Sequence, residues 1–416
     1  MAPTDTSEAR ALALDAADPL RGFRSRFHLL PGSIYMDGNS LGLLSREAEA
    51  ALLQTLDEWR TRGVSGWFTG ESPWFHRAER VGVLMAPLMG AEPEAVIHSA
   101  TVTVNIHALV SSFYQPAGAR VKILADSLNF PTDLYALQGQ LKLRGRDPGR
   151  DLVLVPSPDG RTLDERTIVD LMTEETALLF LPSVLYRSGQ LLDVAYLAAA
   201  ARERDIFFGL DCSHSAGALP HRLDDWGVDF AVWCSYKYLN GGPGASAFLY
   251  VNRRHWDREP LLCGWFGNDK ETQFEMDLEF RPQATAGRWQ ISSPGILGSS
   301  TLLGSLAVIA EAGIERIRER SLALTGYLME LIDAELTGPD HGLVIGTPRE
   351  AERRGGHVAV EVPSGAAQVC EALIERGIVP DFRPPDVIRF CPSPLYGTFH
   401  EVWRTVQILG EVTRAR

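Results

Sequence analysis

Between about residue 95 and residue 250 the chain alternates short apolar runs with stretches apolar at helical spacing. The runs read "AVIHSA", "RVKILAD", "DLVLVPS", "TALLFLPSVL", "IFFGLDCS", "VDFAVWCS" and "SAFLYV". Runs this short and this continuously apolar predict strands buried on both faces. Between them, "TDLYALQGQLKLRG" and "DVAYLAAAARERD" carry helical periodicity. The βαβα pattern predicts a mostly parallel, seven-stranded sheet with helices on both faces, a large α/β unit over residues 46–300. Near Thr301 the texture changes to the long helical region "TLLGSLAVIAEAGIERIRERSLALTGYLMELIDAEL". After it come "GLVIGTP", "HVAVEVP", a helix-like "AAQVCEALIERG", "VIRFCPSP" and a helix around Val402 to Val412, which predict a smaller α+β unit over 301–416. Residues 1–45 hold one helix and "SIYMDGNSLG", a segment expected to pack on the small unit or on a partner chain.

Composition narrows the function classes. Of 416 residues, 45% are hydrophobic and 22% charged, ordinary for a globular protein of two domains. The formal net charge of −13 disfavours nucleic acid and anionic lipid, so any anionic ligand must be held by a local device. The start "MAPTDTSEAR" lacks a signal-peptide pattern, and no run nears the roughly 20 apolar residues of a membrane span, so the expectation is a cytoplasmic protein. Five cysteines, odd in number and without a CxxC pair, predict reduced, mostly buried thiols and no metal site.

Candidate chemistry gathers at the ends of the predicted strands, where open parallel sheets bind ligands. Asp211, Ser213 and His214 close "IFFGLDCSHSAG"; Tyr236 and Lys237 close "VDFAVWCSYK". A lysine there can form a Schiff base with an aldehyde cofactor, and an aspartate can pair with a protonated pyridine nitrogen. Asp211 and Lys237 thus make a candidate pyridoxal phosphate (PLP) site, although a lysine alone is equally well read as a solvated strand end. "SATVTVNIHALVSSF" offers a helix N-terminus for a phosphate, with Thr101 and Thr103 at its start; the same threonines also suit plain helix caps.

The ordered motifs "DGNSLG" (37–42), "TVTVNIH" (101–107), "FPTD" (130–133), "DCSHSAG" (211–217), "WGVDFAVWCSYKYLNGGPG" (226–244), "GWFG" (264–267) and "RFCPSPLYGTFHE" (389–401) resemble the kynureninase family. These are PLP enzymes of aspartate aminotransferase fold (fold type I), close to the class V aminotransferases, and the resemblance runs from about residue 35 to 405. It implies that Lys237 is the Schiff-base lysine, Asp211 the pyridine-nitrogen partner, and His214 a neighbour in the cofactor pocket. It implies that Phe130 stacks on the ring and that Pro131, Thr132 and Asp133 complete that loop, with Asp133 on the hydroxyl side. Val102, Thr103 and Tyr236 match phosphate-binding positions. Trp265 and Ser293 match positions supplied by the second subunit of a homodimer with shared sites. Arg389 matches the arginine that clamps the substrate α-carboxylate; Ser40 and Trp67 match the aromatic end of the substrate, although packing explains Trp67 as well. Pro182 stands where some members place a cofactor-contacting serine, Ser293 where an asparagine or threonine is common, and Trp67 where animal members have a histidine.

The implied activity, a step of tryptophan catabolism, is hydrolytic cleavage of a C–C bond in the side chain of L-kynurenine, or of its 3-hydroxy form, to anthranilate (or 3-hydroxyanthranilate) and L-alanine. Lys237 would move the α-proton, with Tyr236 a second proton donor. The rival readings are a class V aminotransferase, a cysteine desulfurase, or a non-catalytic scaffold. A desulfurase needs a nucleophilic cysteine on a mobile loop, whereas Cys370 reads as helical and Cys391 as strand.

Overall fold

The computed structural model describes residues 4–414. All seven apolar runs are strands of one sheet: β1 (Val96–Ser99), β2 (Lys122–Asp126), β3 (Leu152–Val155), β4 (Thr176–Pro182), β5 (Phe207–Asp211), β6 (Phe230–Trp233) and β7 (Ala247–Val251). Their order is β1-β7-β6-β5-β4-β2-β3, and only β7 runs against its neighbours. Side chains alternate between two apolar layers: Leu178, Phe180, Phe230 and Val232 enter one, Leu179, Leu181, Ala231 and Trp233 the other. That two-sided burial is why the runs show no polar alternation. Each buried Leu or Phe contributes about 1.5–3 kcal/mol, which fixes register and so sets which residues end at the sheet's rim.

The first helix, α1 (Glu8–Ala17), is followed by α2 (Arg46–Arg62), whose N-cap Ser45 accepts from the Ala48 N–H at 3.1 Å. Helices α3 (Val102–Phe113) and α4 (Pro131–Leu143) follow β1 and β2, so both begin at the same rim of the sheet. The long helical region of the sequence is two helices, α5 (Ile296–Ala312) and α6 (Ile314–Glu335), bent by 78°. The break falls at Gly313, whose φ of 80° is left-handed backbone that a side chain resists. Helix α5, which straddles the expected boundary at 301, packs on α2 and joins the large core through Leu302, Leu306 and Ile309.

The second unit is an antiparallel sheet of β8 (Val344–Ile345), β9 (Val358–Glu361), β10 (Asp381–Arg383) and β11 (Val387–Phe390), ordered β10-β11-β9-β8. The short β10 in "PDFRPP" has no hydrophobic pattern to announce it. Helix α7 (Phe399–Arg414) packs Val402, Val406 and Leu409 into this core beside Leu324 and Leu328 of α6. The N-terminal segment is tied here: Asp15 accepts from the first N–H groups of α7, Phe399 at 2.7 Å and His400 at 3.0 Å, and Ile34 and Tyr35 pair with Ile378 and Val379. On either side of that pairing, Phe27 and Leu43 are buried in the core of the large unit. Among the described residues no single helix is long and apolar enough to cross a membrane.

Candidate active site

Past Trp233 the chain leaves β6 and turns, carrying Tyr236 and Lys237 over the sheet's rim. The turn is closed by the Asn240 N–H on the Lys237 carbonyl at 3.0 Å and by the Gly241 N–H on the Ser235 carbonyl at 2.8 Å. The "GNSLG" loop presses on it: the Gly42 N–H donates to the Tyr236 carbonyl at 2.8 Å. A Cβ at Gly42 would collide with the Lys237 carbonyl oxygen, so only glycine fits there. Lys237 Nζ donates to His214 Nε2 at 2.9 Å. Burial, then the charges of Lys237 and Arg389, hold His214 well below its usual pKa, so its ring is a neutral acceptor.

Three carboxylates, two from strand ends and one from a helix start, face this lysine's cavity or lie behind it. Asp211 accepts the Ser213 N–H at 2.6 Å. Asp133, at the start of α4, is fully buried and neither of its oxygens has a hydrogen-bond partner. Burial and then Asp211 push its pKa well up. Asp126, at the end of β2, is raised to about 7 by burial, against the opposing bond from the Leu128 N–H at 2.9 Å. Desolvated acids packed together call for a cation.

The opposite wall favours an anion. Helix α3 starts at Thr101, whose hydroxyl makes no capping bond, after Ala100 in a left-handed conformation (φ 44°). The plain-cap reading therefore fails for Thr101. Helix α4 starts with Phe130 as a non-capping N-cap and Pro131, which has no N–H, at its first position. Thr103 Oγ1 and Thr132 Oγ1 join the two starts at 2.8 Å. First-turn N–H groups that no side chain satisfies, with two helix dipoles converging, suit a phosphate. Thr101, Val102, Thr103, Phe130, Thr132, Asp211, Ser213, His214, Tyr236 and Lys237 line one cavity of about 280 Å³ with Ala245 and Ala247. Burial raises the Tyr236 phenol, which leaves it a donor. Tyr238 points away and packs with Ala218 and Cys391.

Pro182 ends β4 opposite Asp211 in register, and the adjacent Ser183 turns to the rear, 2.6 Å from Ser215. Arg389, on β11, is 1% exposed. Its Nε donates to Asp381 at 2.6 Å, its Nη1 to the Tyr186 carbonyl at 2.6 Å and its Nη2 to Ser40 Oγ at 3.2 Å. Ser40 is thus in contact with Arg389. The Tyr186 ring meets Phe130 edge-on at 5.3 Å and lies 6.5 Å from His214, joining clamp and cavity. Trp67, Trp265 and Ser293 are not brought to Lys237. They line a second cavity of about 280 Å³ with Val64, Phe68, Phe75, Phe266 and Phe274. Residues that the sequence did not single out are Asp126, Tyr186, Asp381 and His357. The last is fully buried with its ring 5.8 Å from His214. A lone Asp in "PDFRPP" and a lone His in "RGGHVAVEV" carry no spacing that could mark them.

The family model for the kynureninase C-terminal domain matches residues 317–409, the stretch that carries Arg389. A kynureninase from Geobacillus thermodenitrificans is 52% identical over 406 residues, covering 98% of this chain and 94% of that protein. The chain belongs to the kynureninase family. Its fold is shared more widely among PLP enzymes of fold type I. The apo cysteine desulfurase from Thermococcus onnurineus NA1 aligns with a TM-score of 0.79 at 18% identity, over 95% of this chain and 98% of that one. A variant of C-DES with glycine covalently linked to its PLP cofactor aligns at 0.78 and 17%, over 93% and 98%. At such identities these two likenesses speak for the fold alone. None of the five cysteines of this kynureninase-family protein lines the Lys237 cavity, the place a desulfurase nucleophile must reach.

Proposed function

We propose that the protein is a kynureninase in activity, a hydrolase acting on the C–C bond beside the ketone of L-kynurenine and releasing anthranilate and L-alanine. The observation that carries this is the Lys237 cavity, with Asp211 at one wall, the partnerless buried Asp133 beside Asp211, and two uncapped helix starts at the other wall. The residues fit PLP at both ends: Asp211 suits a protonated ring nitrogen, with the buried Asp133 beside it on the hydroxyl side, and the starts of α3 and α4 with Thr103 and Tyr236 suit its phosphate. When bound through Lys237, PLP supplies an aldehyde carbon for the substrate amine and a ring that takes up electrons released at the substrate carbons.

The protein's own residues do the rest. Phe130 and His214 flank the ring, and Lys237 Nζ takes the proton from the substrate α-carbon once freed from the cofactor. His214 holds that nitrogen by the 2.9 Å bond seen here. Tyr236, kept protonated by burial, holds a proton for the leaving group. Arg389 anchors the α-carboxylate, which orients the scissile bond relative to Lys237.

In this reading the active unit is a homodimer. The aromatic cavity of Trp67, Trp265 and Ser293 sits on an exposed face that includes Phe68, Phe274 and Leu278, and these three residues serve the partner's site. Residues 46–300 and 301–416 are the units, with α5 serving as the joint between them. Unpaired thiols, four of five buried, favour a reducing compartment, the cytoplasm.

The test is Lys237→Ala in the purified, cofactor-loaded protein. The expected result is a folded dimer with no absorbance band of a lysine-bound aldehyde and anthranilate release lowered at least about a thousandfold, the scale of losing a nucleophile and base together. Release at the parent rate contradicts the assignment.

A further inference from the structure

The mate of Arg389 is fixed by the sheet. Asp381 and Arg389 are direct cross-strand partners in the β10–β11 register, and Phe382 and Arg383 pair next to them. One oxygen, Asp381 Oδ2, accepts from Arg389 Nε at 2.6 Å, from Arg389 Nη2, and from Arg383 Nε at 2.9 Å. A guanidinium has five N–H donors. Here Nε and one hydrogen of Nη2 go to Asp381, one of Nη1 goes to the Tyr186 carbonyl, and the other Nη2 hydrogen reaches Ser40 at 3.2 Å, the longest of the set. A second Nη1 hydrogen stays unassigned. The Nε–Nη2 side of the fork is thereby occupied by a carboxylate, and its Nη1–Nη2 end meets only neutral groups, the Tyr186 carbonyl and the more distant Ser40 hydroxyl.

We propose that Asp381 is a positioning residue for substrate recognition: it holds the Nε–Nη2 side of Arg389 so that the Nη1–Nη2 end, beside Ser40, receives the α-carboxylate of an amino-acid substrate. This rests on the reading of Arg389 as the carboxylate clamp. A guanidinium on a long flexible stem presents two bidentate edges, and which edge faces a ligand decides where the ligand's carbons lie. Asp381 does not give way to the incoming carboxylate. Its backbone is locked in the ladder and its oxygen is held by two arginines, so displacing it breaks three charge-assisted bonds to make two. Tyr186 carries the consequence to the cavity, because its carbonyl takes Nη1 while its ring rests against Phe130.

The experiment is a spectroscopic titration of the PLP-loaded enzyme with L-alanine and with ethylamine, which is the same amine without the carboxylate. Parent, Asp381→Asn and Arg389→Lys are compared. Asp381→Asn is expected to weaken L-alanine about tenfold or more, the scale of a charge-assisted hydrogen bond, and to leave ethylamine unchanged. Equal weakening of both amines would mark Asp381 as merely structural and overturn the proposal, as would unchanged or tighter alanine binding. If Arg389→Lys removes the preference for alanine while Asp381→Asn keeps it, Asp381 fails and the clamp reading stands. If Arg389→Lys keeps the preference as well, the clamp reading falls with it.

Discussion

Asp126 is a carboxylic acid kept close to its neutral form behind the cavity, and its titration separates it from the other acids. Its pKa, raised to about 7 by burial, lies above the usual carboxylate value, so the folded state binds its proton more tightly than the unfolded state does. Stability from this group is therefore present at low pH and is lost as pH rises from about 4 to about 7. The variant Asp126→Asn is expected to unfold at a higher temperature than the parent at pH 8 and to show a smaller gain at pH 5. Thermal melts of both proteins at the two pH values check it; a gain confined to pH 5 contradicts the sign. At the clamp, Arg389→Lys is expected to raise KM for kynurenine about tenfold or more through loss of the bidentate grip, with kcat less affected. Steady-state kinetics decide it.

At the scale of elements, the rim of the sheet makes the site, and two glycines test how. Gly42→Ala drives a methyl into the Lys237 carbonyl and should separate the "GNSLG" loop from the lysine turn. Activity should fall sharply and the cofactor should be released more readily, measured by dialysis against the parent. Gly313→Ala meets nothing closer than the Arg316 side chain at 3.5 Å, so its cost is the left-handed backbone alone, about 1–2 kcal/mol, with turnover retained. A denaturant titration and an activity assay separate the two kinds of glycine. The same contrast explains what the sequence made legible. The strands of the large sheet stood out because two-sided burial leaves unbroken apolar runs, and Lys237 and Asp211 stood out because they end those runs; Thr103 stood out at a helix start, and Phe130 only by family likeness. The break at Gly313 was hidden because apolar periodicity continues across it. Asp381 was hidden because it sits on a strand of only three residues and its cross-strand partner, Arg389, lies eight residues further along the chain. Ser40 was assigned by likeness to the ring end of the substrate; its contact with Arg389 was not legible in the sequence.

For the whole molecule, the two cavities set the expected assembly. Trp67, Trp265 and Ser293 line an aromatic cavity with no residue in common with the Lys237 cavity, on a face where Trp265 is 50% exposed. An exposed apolar face of this kind marks an interaction site. The pair Phe274→Asp and Leu278→Asp is expected to shift the protein from dimer to monomer in sedimentation and to lower activity in step with the monomer fraction. A fully active monomer would place every needed group on one protomer. The most direct measurement of the central claim is a product balance on L-kynurenine with the PLP-loaded enzyme. Anthranilate and L-alanine should appear in equal amounts, each matching the substrate consumed, with no amino acceptor added. A product that keeps the full carbon skeleton and has lost its amino group would contradict hydrolytic cleavage and make the protein an aminotransferase.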